Sequence, residues 1–352
     1  MVTRLWVDKY RPLSIDELDF NTELSFLLQG LAQQVDIPHL LLYGPSGAGK
    51  KTRVLALLSK VFGGGVHKTK CEVRNFKVGT VNVEINLLQS NYHIDMTPSD
   101  VAYRDKVVIQ QIIKEIGSSK NPDPRFPFKV VILNQADSLS AEAQAALRRT
   151  LEKYTPTTRL ILICNSLCKV ISPLRSRCLG IRVPSPSTDQ ICQVLTKISL
   201  EEGLQISNEL AQRISLESNR NLRRAIMTLQ AIHIEYSKIP PNPQVPVPEW
   251  EKYLGEVVQN VLRDQTPQAL KLVRGKLFEV LASCIPPTTI FIFLANELCN
   301  KCPSPLKPQV VSQASTYELQ AKNGSKPIVH LEAFLAKFMT LYRDYVNNSM
   351  RL

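Results

Sequence analysis

The sequence predicts an α/β chain in which a doubly wound parallel sheet comes first, a small helical domain follows, and an all-α domain ends the chain. Three observations predict this. A glycine-rich loop joins an apolar strand to a helix, two β-branched segments end in polar residues, and helical periodicity runs through 250–352. Strands that alternate with helices and carry polar residues at their carboxyl ends are typical of a doubly wound sheet. We expect domains at 1–183, 184–239 and 250–352, with 240–249 as a stiff proline-rich linker.

The chain begins with a short aromatic and basic segment, Leu5–Pro12, which could also be a surface arm. Apolar residues at helical spacing then predict a helix over Ile15–Leu31. The apolar run Leu40–Tyr43 predicts the first strand of the sheet, and it leads directly into the glycine-rich loop.

The glycine-rich loop predicts a phosphate-binding site. In a strand–loop–helix context, the glycines let backbone N–H groups turn toward an anion, and the helix N-terminus adds its positive end. The lysine of this pattern reaches the outer phosphates. The loop consists of Gly44, Pro45, Ser46, Gly47, Ala48, Gly49, Lys50, Lys51 and Thr52.

The loop departs from the usual pattern at its last position. A hydroxyl that ligates Mg²⁺ is expected after the first lysine, but Lys51 stands there and Thr52 follows one residue late. A helical turn of 100° per residue would carry the Thr52 hydroxyl away from the metal. Two interpretations remain open: Lys51 neutralises phosphate charge without a metal, or the shifted Thr52 still binds Mg²⁺.

Alternating apolar residues over 72–94 predict a β-hairpin and a core strand, and helical spacing over 107–116 predicts a helix. The continuous apolar run Lys129–Leu133 predicts a buried parallel strand. In P-loop ATPases such a strand ends in carboxylates that hold Mg²⁺ and polarise water. Here Asn134 and Gln135 stand in those places, and an amide cannot deprotonate water. We therefore expect a pocket that grasps phosphate but has no anionic group placed to recruit Mg²⁺ or to activate water.

Downstream, Ser140 is expected to cap a helix over Ala141–Tyr154, on which Arg148 lies. Leu160–Asn165 predicts another core strand, and Asn165 at its carboxyl end is placed to address the γ-phosphate. A turn at 174–178 precedes a last strand that contains Ile181 and Val183, and residues 188–236 predict short helices.

Composition limits the class of protein. A net charge of +12 favours a polyanionic partner, with nucleic acid as the leading candidate. Eight scattered cysteines indicate a reducing compartment, and no apolar run approaches the length of a membrane span. Cys299 and Cys302 form half of a zinc motif without a second pair, so we predict no metal site there.

With these residues in place, the chain resembles a small subunit of replication factor C, the AAA+ clamp loader, over essentially its whole length. The resemblance rests on Leu5–Pro12, the loop, Ala146–Glu152, Ser176-Arg177-Cys178 and Asn221-Leu222-Arg223-Arg224. Lys51, Asn134 and Gln135 make it most similar to the non-hydrolysing last small subunit, called subunit five in fungi and subunit three in vertebrates. The resemblance implies an AAA+ module, a helical lid domain and a helical collar that joins five subunits.

The resemblance also implies roles for individual residues. Arg177 matches the arginine finger that enters a neighbour's ATP site, and Arg148 matches a position that couples neighbouring sites. Asn165 and Arg223 match the two sensor positions that read this chain's own nucleotide. Three further residues match the segment that borders the adenine: Tyr10, Arg11 and Pro12.

The implied ligand is ATP or ADP, with or without Mg²⁺, and the implied partners are four other replication factor C subunits, a PCNA-type sliding clamp and primer–template DNA. DNA would be held through its phosphates, for which Lys106 and Arg104 are the positional candidates. The implied location is the nucleus, with no membrane association.

Two other functions are considered. In a catalytically active AAA+ ATPase, Asp137 and Thr52 would replace the missing groups. A P-loop nucleotide kinase would share the loop, but such kinases begin almost at the loop and lack both Ser176-Arg177-Cys178 and a helical tail.

Overall fold

The computed structural model describes residues 4–34, 36–78, 81–98, 105–118, 128–236, 240 and 243–349. The chain divides into two compact units, Met1–Val245 and Pro246–Leu352. The boundary lies within the proline-rich range 240–249.

The first unit contains a seven-stranded sheet, helices on both of its faces, and a group of three helices after the last strand. In chain order its elements are α1 Trp6–Lys9, α2 Thr22–Ala32, β1 Leu40–Tyr43, α3 Lys50–Phe62, β2 Lys70–Val78, β3 Val81–Gln89, β4 His93–Met96, α4 Asp105–Ser118, β5 Lys129–Leu133, α5 Ala141–Tyr154, β6 Thr158–Cys164, α6 Ser172–Arg175, β7 Leu179–Arg182, α7 Thr188–Glu201, α8 Asn208–Glu217 and α9 Leu222–Glu235.

The strand order is β2-β3-β4-β5-β6-β1-β7. The hairpin β2–β3 and the pair β3–β4 are antiparallel, whereas β4 through β7 are parallel. Because β-strand side chains alternate between faces, Val131 and Leu133 of β5 pack with α4 and α5, and Val130 and Ile132 pack with α2 and α3. The parallel strands therefore bring their carboxyl ends, and the polar residues there, to one edge of the sheet.

The predicted doubly wound sheet is confirmed, and β1, β5 and α5 have the predicted bounds. The predicted helix over Ile15–Leu31 is wrong in its first part, since α2 begins at Thr22. Asn21 has a left-handed backbone (φ 55°), which cannot continue a helix. Before it, Ile15, Leu18 and Phe20 are buried in an irregular segment, so their apolar spacing reflects core packing rather than a helix.

Helices α7, α8 and α9 form their own apolar core, and Trp6 of α1 lies in it with 6% of its surface exposed. The Trp6 ring stacks on His233 at a centroid distance of 5.3 Å, and its backbone N–H donates to Gln230 Oε1 at 3.1 Å. The aromatic N-terminal segment is therefore part of the helical domain's core.

The second unit is all helical, and its buried face is lined by residues that repeat at helical spacing, such as Leu254, Val257 and Val261. Over the described ranges, no helix has the length and apolar character needed to cross a membrane. The helices of the second unit are α10 Glu249–Arg263, α11 Pro267–Ala282, α12 Pro287–Lys301, α13 Lys307–Asn323 and α14 Pro327–Ser349.

Candidate nucleotide-binding site

The glycine-rich loop turns at the carboxyl end of β1 and opens α3. Gly47 and Gly49 have left-handed backbones, with φ of 75° and 80°. A Cβ on Gly47 would lie 1.8 Å from Asn221 Oδ1, so no side chain fits there. Asn221 also accepts a hydrogen bond from Arg224 N (3.2 Å) and thereby caps α9. The loop thus lies directly against the N-terminus of the helix that carries Arg223.

Lys50 is buried at the centre of the loop. Its ammonium donates to Gly44 O at 2.7 Å, to Pro45 O at 2.8 Å and to Asn165 Oδ1 at 2.9 Å. Burial lowers the pKa of Lys50, and the negative charge of Asp137 partly offsets this. Because β6 lies next to β1 in the sheet, Asn165 and the loop meet at the same edge.

Lys51 points to a different part of the site. Its Nζ lies 2.5 Å from Asp95 Oδ2, and Asp95 is only 4% exposed at the end of β4. The other oxygen of that carboxylate, Oδ1, accepts a hydrogen bond from Asn134 Nδ2 at 2.6 Å. Lys51, Asp95 and Asn134 form a chain of polar contacts where a conventional P-loop ATPase holds Mg²⁺ between a hydroxyl and a carboxylate. We call these three residues the Lys51 network.

Asp95 adds a buried carboxylate to this part of the site, where the sequence predicts none. The carboxylate is present, but one of its oxygens faces an ammonium and the other an amide N–H. Sequence reasoning missed it because the neighbour of β5 in the sheet cannot be read from local pattern. The one available signal was an acidic residue inside the apolar segment His93–Met96.

Gln135, the residue expected in place of the catalytic base, is exposed and has a left-handed backbone (φ 50°). Asp137, the candidate base of the active-ATPase hypothesis, accepts a hydrogen bond from Ser166 N at 3.3 Å. Thr52, the candidate metal ligand of the same hypothesis, lines the cavity beside the loop, whereas Lys51 reaches Asp95. In the described part of the chain, no group of three His, Cys, Asp or Glu residues is arranged to hold a metal ion.

A cavity of about 410 Å³ adjoins the loop, which is within the ordinary range for a small-molecule site. Apolar side chains such as Leu18, Phe20 and Ile226 form much of its wall, which suits a flat base. Seven of the residues expected to bind the nucleotide line this cavity: Tyr10, Arg11 and Pro12, expected beside the adenine, Gly47, Gly49 and Thr52 of the loop, and Arg223 at a sensor position.

The Tyr10 side chain is fixed by Glu202, which follows α7. Tyr10 Oη donates to Glu202 Oε1 at 2.7 Å, and Lys9 Nζ contacts the same oxygen at 2.8 Å. The hydrogen bonds from Lys9 and Tyr10 lower the pKa of Glu202, so the carboxylate stays charged. These contacts, together with Trp6, hold the N-terminal segment as one wall of the cavity.

Arg177 does not lie at the nucleotide cavity, since it is not among the described residues that line it. Its Nε and Nη2 contact Glu152 Oε1 at 2.9 and 2.8 Å, and its Nη1 donates to Pro173 O at 2.9 Å. Arg148 Nε lies 3.7 Å from the same Glu152 oxygen. The two arginines with expected inter-subunit roles therefore share one carboxylate, a link that sequence reasoning did not foresee.

Of the two DNA-contact candidates, Arg104 lies outside the described residues. Lys106 is exposed on α4, where its ammonium lies 3.3 Å from Glu142 Oε2 of α5. Nothing in this geometry brings Lys106 to the nucleotide cavity.

Three family models match the chain. Residues 250–346 match the C-terminal domain of replication factor C subunit 3, 193–234 match an RCF1/5-like AAA+ ATPase lid domain, and 21–187 match the DNA polymerase III delta subunit. Among solved structures, the Thermotoga maritima RuvB Holliday junction branch migration motor is similar, with a TM-score of 0.51 at 14% identity over 76% of this chain and 85% of RuvB. This likeness supports the AAA+ fold alone.

Curated relatives match nearly end to end. Human replication factor C subunit 3 is 45% identical over 98% of both chains, and a probable subunit 3 from Dictyostelium discoideum is 45% identical over 97% of this chain and 99% of its own. Subunit 5 of Schizosaccharomyces pombe is 41% identical over 96% of both chains. The chain therefore belongs to the replication factor C family, as a small subunit of the AAA+ clamp loader.

Proposed function

We propose that this chain is the nucleotide-holding, non-hydrolysing small subunit of a five-subunit clamp loader. The observation that carries the proposal is the set of residues at the metal and base positions: Asn134 and Gln135 stand at the end of β5, and Asp95 is engaged by Lys51. An amide cannot take a proton from a water molecule next to the γ-phosphate, so hydrolysis in this site would have to rely on Asp137, whose Oδ2 accepts a hydrogen bond from Ser166 N. The ligand is ATP or ADP, bound by the loop, Asn165, Arg223 and the cavity beside Tyr10.

In this proposal the chain contributes to catalysis in a neighbour. Arg177 lies away from its own cavity, is about one third exposed, and has a guanidinium that matches phosphate geometry. An arginine supplied in trans to a phosphoryl-transfer site is worth about 10³–10⁵ in rate. Arg148, which shares Glu152 with Arg177, would couple the two sites.

The partners follow from the family and the charge. Four other replication factor C subunits would complete the hetero-pentamer, which loads a PCNA-type sliding clamp on primer–template DNA in replication and repair. The net charge of +12 suits phosphate contacts, with Lys106 as a candidate. We expect the protein to act in the nucleus, because the proposed activities concern DNA replication and repair.

The test compares two alanine variants in the reconstituted five-subunit complex. Arg177→Ala should lower DNA- and clamp-stimulated ATP hydrolysis by at least about tenfold, since the finger acts in the rate-limiting transition state. Lys50→Ala should lower it far less, because this chain's own site does not turn over. Arg175→Ala, on the same turn, serves as the control for loss of positive charge. Equal losses from Arg177→Ala and Lys50→Ala would refute the non-hydrolysing assignment.

A further inference from the structure

The family's usual P-loop site holds Mg²⁺ between the hydroxyl after the lysine and a carboxylate at the end of the next core strand. The residues of this chain do not fit that ion. Lys51 replaces the hydroxyl and Asn134 replaces the carboxylate. The carboxylate that is present, Asp95, has one oxygen 2.5 Å from an ammonium and the other 2.6 Å from an amide nitrogen. A divalent cation would have to displace the Lys51 ammonium to reach Oδ2, or the neutral Asn134 amide to reach Oδ1.

The Lys51 network has the properties of a built-in replacement. Asp95 is 4% exposed, and a buried carboxylate requires a charged or hydrogen-bonding partner, which fixes the Lys51 ammonium in place. The Lys51 side chain is itself 37% exposed, so part of it stays accessible to a ligand. An ammonium has three N–H donors. One faces Asp95, which leaves two that can donate to the phosphate oxygens of a bound nucleotide.

We propose that the Lys51 ammonium, held by Asp95, takes the place of Mg²⁺, so that this chain binds a nucleoside di- or triphosphate without a divalent cation. The inference rests on the proposed nucleotide-holding function and adds its cation requirement. Asp95 and Asn134 act as positioning residues, because they touch the ammonium rather than the phosphate. A site of this kind binds the nucleotide phosphates through an ammonium of the chain itself. A conventional P-loop ATPase instead contacts them through a bound Mg²⁺ ion.

The first measurement needs no variant. A fluorescent ATP analogue is titrated into the purified full-length chain in excess Mg²⁺ and in excess EDTA. The dissociation constant in EDTA should be no larger than in Mg²⁺, because no step of binding uses the metal and Mg²⁺ on the free nucleotide competes with Lys51 for the phosphate oxygens. A much weaker constant in EDTA would overturn the inference and leave nucleotide binding intact. No binding in either buffer would overturn the proposed function itself.

Two variants then test the assigned residues. Lys51→Thr should weaken binding in EDTA by about tenfold to 10²-fold, the range of a hydrogen bond to a charged group. Lys51→Thr combined with Asn134→Asp restores both metal ligands, so its binding should become tighter in Mg²⁺ than in EDTA. Manganese then gives a direct readout: with the nucleotide present, Mn²⁺ should be immobilised by the double variant and remain mobile with the wild-type chain.

The matched control is Lys60→Thr, which removes an exposed ammonium from the same helix and should change neither constant. Thermal unfolding of each variant checks that the fold is retained. If Lys51→Thr binds as tightly as the wild-type chain in EDTA, the ion pair with Asp95 is only structural and the inference is wrong.

Discussion

Replacing Trp6 by alanine should weaken nucleotide binding although the ring does not touch the loop. The indole is 94% buried in the helical core, stacks on His233 and anchors the segment that ends in Tyr10. Truncation of a buried tryptophan costs about 3–5 kcal/mol. Because α1 is a single four-residue helix near the N-terminus, the truncation should reduce the free energy of docking of this segment rather than the stability of the whole unit.

At most, all of that free energy is lost from nucleotide binding, and about 3 kcal/mol corresponds to about a 10²-fold increase in the dissociation constant. The other walls of the cavity remain, so Trp6→Ala should weaken binding of a fluorescent ATP analogue by about tenfold to 10²-fold. Leu5→Ala is the control, because Leu5 is 51% exposed in the same segment. The chain has two tryptophans, so in a Trp250→Phe background the fluorescence of Trp6 reports docking directly. Unchanged affinity in Trp6→Ala would refute the view that the segment is a wall of the site.

Three further predictions concern other parts of the first unit. Lys106→Glu should weaken DNA binding by the assembled complex equally for all sequences and lower its salt slope by at least about 1, and an effect confined to one sequence would refute a phosphate contact. Burial lowers the pKa of His93 to about 4, below about 6.5 in the unfolded chain, so stability should fall by up to about 3 kcal/mol as pH falls from 6.5 to 4, and His93→Gln should flatten this slope in urea titrations. Gly47→Ala should weaken nucleotide binding by about tenfold or more, because φ is 75° and the new Cβ would meet Asn221, whereas Gly64→Ala, with open space around it, should not.

Local pattern was sufficient where one stretch of chain determines its own structure. The apolar run Lys129–Leu133 and the Ser140 cap predicted β5 and α5 with their observed bounds, since burial on both faces and an N-cap hydroxyl are properties of neighbouring residues. The loop and Asn165 were also predicted from position alone, and the structure brings Lys50 to Asn165.

The rest depends on which elements become neighbours. Asp95 reaches Asn134 only because β4 pairs with β5. Glu152 reaches Arg177 only because α5 lies beside the turn that carries this arginine. Trp6 joins a core that begins almost two hundred residues later. Periodicity gave no information on these contacts, and it was misleading at Ile15–Phe20, where core packing without a helix has a similar apolar spacing.

The shared carboxylate of Glu152 has a consequence for signalling between subunits. Arg177 and Arg148 contact the same oxygen atom of Glu152, so a shift of either guanidinium toward another anion leaves that oxygen in contact with the other arginine alone. In the proposed pentamer, a neighbour's triphosphate that attracts Arg177 would change the charge balance on α5. A single glutamate would in this way report the occupancy of an adjoining protomer to the helix that carries it.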